Sequence, residues 1–105
     1  MARKEIIETT ECRAFVDTMN EAEAREYAHL LFELSEMGRL AYPDAERVKA
    51  GLFALRVRVG GNARFFYCYD DGAAVWVLNG YEKKTEKIPV REIRQAERLK
   101  RKYGL

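Results

Sequence analysis

The sequence predicts an α+β domain in which helices come first, a three-stranded antiparallel meander follows, and a last helix closes the fold. Three observations carry this. Apolar residues recur at helical spacing as far as Gly38; from Ala50 the chain turns to β-branched and aromatic runs broken by glycine pairs; after Pro89 helical spacing returns. The length, 105 residues, suits one domain over 1–105, and 48% hydrophobic content is enough to build a core.

The elements follow in order. RKEIIET, Arg3–Thr9, reads either as a short edge strand or as a disordered lead-in. Thr10 can cap a short helix whose apolar positions are Cys12, Phe15, Val16 and Met19. Asn20, with Glu23 three residues on, forms a variant capping box for a second helix. Its stripe is Tyr27, Leu31 and Leu34, flanked by Ala24, Ala28 and Leu30, and Gly38 is its stop. His29 falls off the stripe and reads as a surface or rim residue rather than a general base.

The meander consists of GLFALRVRV, NARFFYCYD and AAVWVLNGY, turning at Gly60-Gly61 and Asp71-Gly72. Gly80 permits a turn after the last strand, and Pro89 suits the first turn of the closing helix. In that helix Ile93, Ala96 and Leu99 or Lys100 make one narrow apolar face.

Register decides where the arginines go. A two-residue loop at Gly60-Gly61 pairs Val57 with Arg64 and splits the arginines between faces. A three-residue loop, Gly60 to Asn62, pairs Arg58 with Arg64 and gathers Arg56, Arg58 and Arg64 on one face. It also aligns Phe53, Leu55, Val57 and Val59 with Phe65 and Tyr67, and is preferred for that reason. A two-residue turn at Asp71-Gly72 then sets Phe65 against Leu78 and Arg64 against Asn79. Trp76 and Leu78 join the apolar face, and Asn79 and Tyr81 emerge beside the arginines. Unpaired buried charge is costly, so these groups must meet water, a carboxylate or a bound anion. Asp70 and Glu82 are the local acids, and an anion-binding groove is the preferred reading over snorkelling arginines.

Charge supports that reading. Residues 1–46 carry 5 basic and 11 acidic groups, whereas residues 81–105 carry 9 and 4. A basic C-terminal half points to a polyanion partner. Cys12 and Cys68 make neither a disulfide framework nor a metal cluster, and one histidine without a CxxC or HExxH motif argues against a catalytic metal. No apolar run reaches bilayer-spanning or signal-peptide length, so a soluble, cytoplasmic protein without a membrane partner is expected.

From Gly51 to Tyr103 the chain shows G-L-F-x-L-R, a glycine turn, A-R-F-F-Y, a hydrophobic strand, G-Y-E-K-K-T-E-K-I-P and a helix beginning E-I-R-Q-A. This resembles the phage-derived Gp49-like branch of the RelE/HigB toxin superfamily, and the upstream helices are similar to the helical pair that precedes the sheet in that branch. The resemblance implies a RelE-like fold with a shallow basic groove. It also implies a type II toxin: a metal-independent, cofactor-free, ribosome-dependent mRNA endoribonuclease. Its partners would be mRNA on the ribosome and a HigA-like helix-turn-helix antitoxin. By position, Arg56 and Arg64 match the basic strand residues of the RNA groove, Lys83 and Lys84 the basic pair after the last strand, and Tyr81 the aromatic before them. Arg58, Asn79, Lys87 and Arg91 are the further RNA contacts this implies. Several members use histidine or aspartate near the C-terminus; this chain has neither after Asp71.

Metal-free cleavage requires the 2′-OH to attack the adjacent phosphate. Arginine grips phosphate bidentately, which assigns charge stabilisation to Arg56 and Arg64. Lys83 or Lys84 is then the acid or base, because a dense positive cluster eases proton loss, and Tyr81 a stacking platform or proton donor. A non-catalytic RNA- or ribosome-binding module would use the same face without cleavage, whereas a phage-encoded inhibitor of a host protein would show neither cleavage nor RNA affinity.

Overall fold

The computed structural model describes residues 3–105. Strand β1 (Glu5–Glu8) leads into α1 (Thr10–Val16) and α2 (Glu21–Met37); β2 (Ala45–Lys49), β3 (Leu52–Val57), β4 (Ala63–Tyr69) and β5 (Ala74–Glu82) follow, and α3 (Val90–Lys102) closes the chain. One five-stranded sheet has the order β1-β5-β4-β3-β2. The meander is its centre, and the sequence expectation falls short at both edges. β1, the edge strand of the two N-terminal readings, pairs parallel with β5, Glu5 opposite Ala74. β2 was not expected at all: AERVK carries three charges in five residues, and its ladder with β3 slips between Arg47 and Lys49. Among the described residues, no helix is long and apolar enough to cross a membrane.

Both sheet faces are covered. α1 and α2 lie on the face of Leu55, Val57, Phe65, Tyr67, Val75 and Val77, and bury Cys12, Val16, Tyr27, Leu30 and Leu34 against them. Beside Tyr27 and Leu34 it is Leu30, not Leu31, that is buried in α2, and Ala28 is exposed. On the other face α3 sets Ala96 and Leu99 against Leu52, Phe66, Cys68 and Leu78. Trp76 packs there too, so Trp76 and Leu78 lie opposite to the expected side. Two departures cause this: the β4–β5 connection is one residue longer than the expected turn, pairing Cys68 with Trp76 and Tyr67 with Val77, and a register shift between Phe66 and Tyr67 then sets Phe65 opposite Gly80 and Arg64 opposite Tyr81 in place of Leu78 and Asn79.

The caps explain the helix limits. Thr9 rather than Thr10 caps α1, its hydroxyl accepting from Cys12 N at 3.0 Å and donating to the carbonyl of Leu78. Asn20 and Glu23 form the full reciprocal box on α2, and Gly38 ends it at φ 77°. Pro89 is the cap of α3 rather than its first residue. Gly80 makes no turn; it is within β5, where a Cβ would lie 2.5 Å from Phe15 Cδ2 and 2.7 Å from Phe65 Cε2.

Burial holds several acidic side chains in their neutral form. It pushes the Cys12 thiol from about 9 up to about 12 and Tyr81 from about 10 up to about 12, and it raises Tyr27, Tyr67 and Cys68 as well. The unfolded chain ionises these groups first, so their contribution is complete below about pH 9 and is lost as pH rises toward 12. A melting series is therefore expected to show Tm falling steadily over that window, less steeply for Cys12→Ala. A flat profile would contradict this account.

Candidate anion-binding groove

The arginine face is built from two adjacent rows that cross the sheet. In the first, Glu46 of β2 is opposite Ala54, Ala54 opposite Phe66, and Phe66 opposite Asn79. In the second, Arg56 is opposite Arg64, and Arg64 opposite Tyr81. Residues two apart on a strand share a face, so all seven project to one side. α3 covers only the far end of that side, leaving the arginine end open.

The strand pairing differs from expectation in a way that helps the site. Val57 pairs with Ala63, so the connection runs from Arg58 to Asn62 rather than over three residues. The Glu26 carboxylate accepts from the backbone N–H groups of Arg58 (3.1 Å) and Val59 (2.8 Å), which pulls both residues out of the ladder. The shift is two residues, so parity is kept and Arg56 and Arg64 still share a face. They now stand directly opposite each other. Arg58 does not join them; its guanidinium donates to Asp44 Oδ1 at 2.9 Å.

Like charges set directly opposite are destabilising in a sheet. Neither Arg56 nor Arg64 has a carboxylate within 4 Å among the described residues. Arg64 is only 7% exposed. Burial first, and then the neighbouring Arg56 charge, lowers its guanidinium from the ordinary arginine value. Arg56 Nε, Arg64 Nη1, Asn79 Oδ1 and Tyr81 Oη are buried without a hydrogen-bond partner among the described residues. Four such atoms in two rows are a concentrated cost, and an anion bearing several acceptor oxygens would satisfy the arginine donors.

Tyr81 is 7% exposed, and its ring stacks on Phe66 at 5.5 Å, so one of its faces is already taken. Burial, opposed by Arg64, raises it to about 12, so at neutral pH it keeps its proton. Lys83 is anchored by its N–H to Asn62 O at 2.9 Å, while Lys84 is exposed.

The groove is a chain of recesses. One of ≈ 150 Å³ is lined by Tyr42, Pro43, Glu46, Ala54, Arg56, Arg64 and Lys83. It shares Arg56, Arg64 and Lys83 with a second, of ≈ 390 Å³, that continues to Asn62, Lys84 and Thr85. A third carries Tyr81 and Lys84 on to Arg91. Lys87 lines a side hollow with Glu46 and Lys83. The carboxylates that line the arginine recesses are thus Glu46 in the first and Glu86 in the second, neither of them one of the two expected. Asp70 instead braces the β4–β5 connection, accepting from Gly72 N (2.8 Å) and Trp76 Nε1 (3.2 Å). Glu82 is exposed beside Lys84. The alternation in Ala45–Lys49, with Glu46 and Val48 on one parity, was the available signal for Glu46. Among the described residues no three histidines, cysteines or carboxylates gather to hold a metal ion.

Residues 14–101 match the family described as Phage derived protein Gp49-like. The chain belongs to the Gp49-like family. Its fold is that of the RelE toxins. A mutant of Escherichia coli toxin RelE in the free state superposes with a TM-score of 0.70 at 12% identity, covering 91% of the Gp49-like chain and 96% of RelE. The toxin–antitoxin complex RelBE2 from Mycobacterium tuberculosis gives 0.60 at 20% identity, over 78% of this chain and 100% of that one. No curated protein matches the Gp49-like chain by sequence.

Proposed function

We propose that this Gp49-like protein is the toxin of a toxin–antitoxin pair and cuts messenger RNA on the translating ribosome, in the cytoplasm. The observation that carries the reading is the opposed Arg56–Arg64 pair, unpartnered within the protein and facing Glu46. The RelE fold and the similarity to a chain solved in a toxin–antitoxin complex support the toxin assignment, and the resemblance of the KKTEKIP segment supports a helix-turn-helix antitoxin.

In the proposed reaction the Glu46 carboxylate takes the proton of a ribose 2′-OH, whose oxygen attacks the adjacent phosphorus. Arg56 and Arg64 donate to the non-bridging oxygens as charge builds on them. The bond from phosphorus to the 5′ oxygen breaks, and Lys83 or Lys84 on the opposite rim gives that oxygen a proton. The products are a 2′,3′-cyclic phosphate and a 5′-hydroxyl. Tyr81, opposite Arg64 on β5, keeps its proton and flanks the guanidinium pair. In this reading the ribosome presents the message to the groove.

Glu46→Gln keeps the shape of the side chain but cannot accept the proton. Cleavage in a translation extract, followed by mapping of RNA 5′ ends, is expected to fall about 100-fold with RNA binding retained. Full activity in Glu46→Gln would remove Glu46 as the base; no cleavage by the parent protein would remove the reaction itself.

A further inference from the structure

Helix α3 presents a second basic row, of which the groove uses only Arg91 at its start. Arg91, Arg94, Arg98 and Arg101 follow at spacings of three, four and three, so they share roughly 80° of the helix circumference. The buried Ala96 and Leu99 lie on the opposite side, and all four arginines are exposed. The row is about 15 Å long. It starts beside the groove, since Arg91 lines a recess with Tyr81 and Lys84.

Ordinary explanations cover this row poorly. Cations favour the last turn of a helix through the macrodipole, which accounts for Arg101. The same dipole disfavours Arg91 in the first turn. Neutralisation within the helix is thin: Glu97, three residues from Arg94 and four from Arg101, is bonded to Lys49 at 2.6 Å. Arg98 meets only Gln95, and Arg91 reaches the adjacent Glu92 at 3.7 Å.

We infer that the outer face of α3 binds the phosphate backbone of a double-stranded RNA, separately from the strand in the groove. Only the choice of RNA as the polyanion rests on the proposed function. Protein interfaces centre on apolar or aromatic anchors, and this row has none, Val90 at its start being the nearest apolar side chain. Single-strand surfaces rely on aromatic stacking, which is absent here too. A duplex keeps its bases inside and offers phosphates and 2′-hydroxyls, which a rigid row of arginines can grip.

The test uses the full-length protein, a blunt fluorescent RNA duplex and the triple variant R94Q/R98Q/R101Q, with helicity and melting checked by circular dichroism. Losing three phosphate contacts is expected to weaken duplex binding about 100-fold at 0.15 M salt and to reduce the slope of log K against log salt by about 2.7. The variant R56Q/R64Q is expected to lose cleavage and keep duplex binding. Unchanged affinity and slope in the triple variant would overturn the inference, as would polyglutamate displacing the duplex at equal charge concentration. If duplex binding depends on α3 but no message is cut, the inference stands and the proposed function falls.

Discussion

Arg64→Met is expected to abolish RNA cleavage and, at the same time, to make the protein more stable. Arg64 is buried, directly opposite Arg56, and has a nitrogen with no partner in the protein. Removing a charge-stabilising donor from a reaction centre costs about 10²–10³ in rate. Removing an uncompensated buried charge has the opposite effect on folding. Methionine fills a similar volume, relieves the cross-strand repulsion and needs no hydrogen bonds, so a gain of about 1 kcal/mol is expected. The paired measurements are cleavage of translated message and the denaturant midpoint. An arginine kept for structure would lose stability on replacement; one kept for an anion loses function alone.

Gly80→Ala is expected to have the largest effect on folding. The added Cβ would lie 2.5 Å from Phe15 and 2.7 Å from Phe65. Neither ring is free to retreat. Phe15 meets Phe65 edge-on at 5.4 Å, and Phe65 in turn stacks on Tyr27 at 4.3 Å. Overpacking of this kind costs about 3 kcal/mol. Because Asn79 and Tyr81 flank Gly80 on the groove side, displacement of β5 would also disturb the arginine row. Urea denaturation measures the first effect and cleavage the second. A loss under about 0.5 kcal/mol would mean that the sheet and α1 shift apart easily.

Alternation and turn residues were enough to place the meander, and parity was enough to put Arg56 and Arg64 on one side. Both follow from local rules that hold wherever a strand has one apolar face. The failures come from distant partners. Nothing near Gly60 shows that Glu26, on α2, will hold Arg58 and Val59 off the ladder. Nothing in DDGA shows that the Asp70 side chain will widen the β4–β5 connection. Gly80 was read as a turn because a glycine before a charged run usually marks one, and the reason for it is a ring from α1. β2 was hidden because an edge strand with bonds on one side tolerates charge and needs little apolar pattern. With it went Glu46, the carboxylate to which the proposed chemistry gives the part of base.

The parallel pairing of β1 with β5 has a consequence for synthesis. Glu5 must wait for Ala74, and the Thr9 hydroxyl for the carbonyl of Leu78, before the first strand and α1 can dock. Tyr81 and the lysines that complete the groove emerge at the same late stage. A nascent chain interrupted anywhere before β5 therefore holds its arginines on an unfinished sheet and has no groove. Competence comes in a single step, once β5 has emerged and β1 can dock beside it.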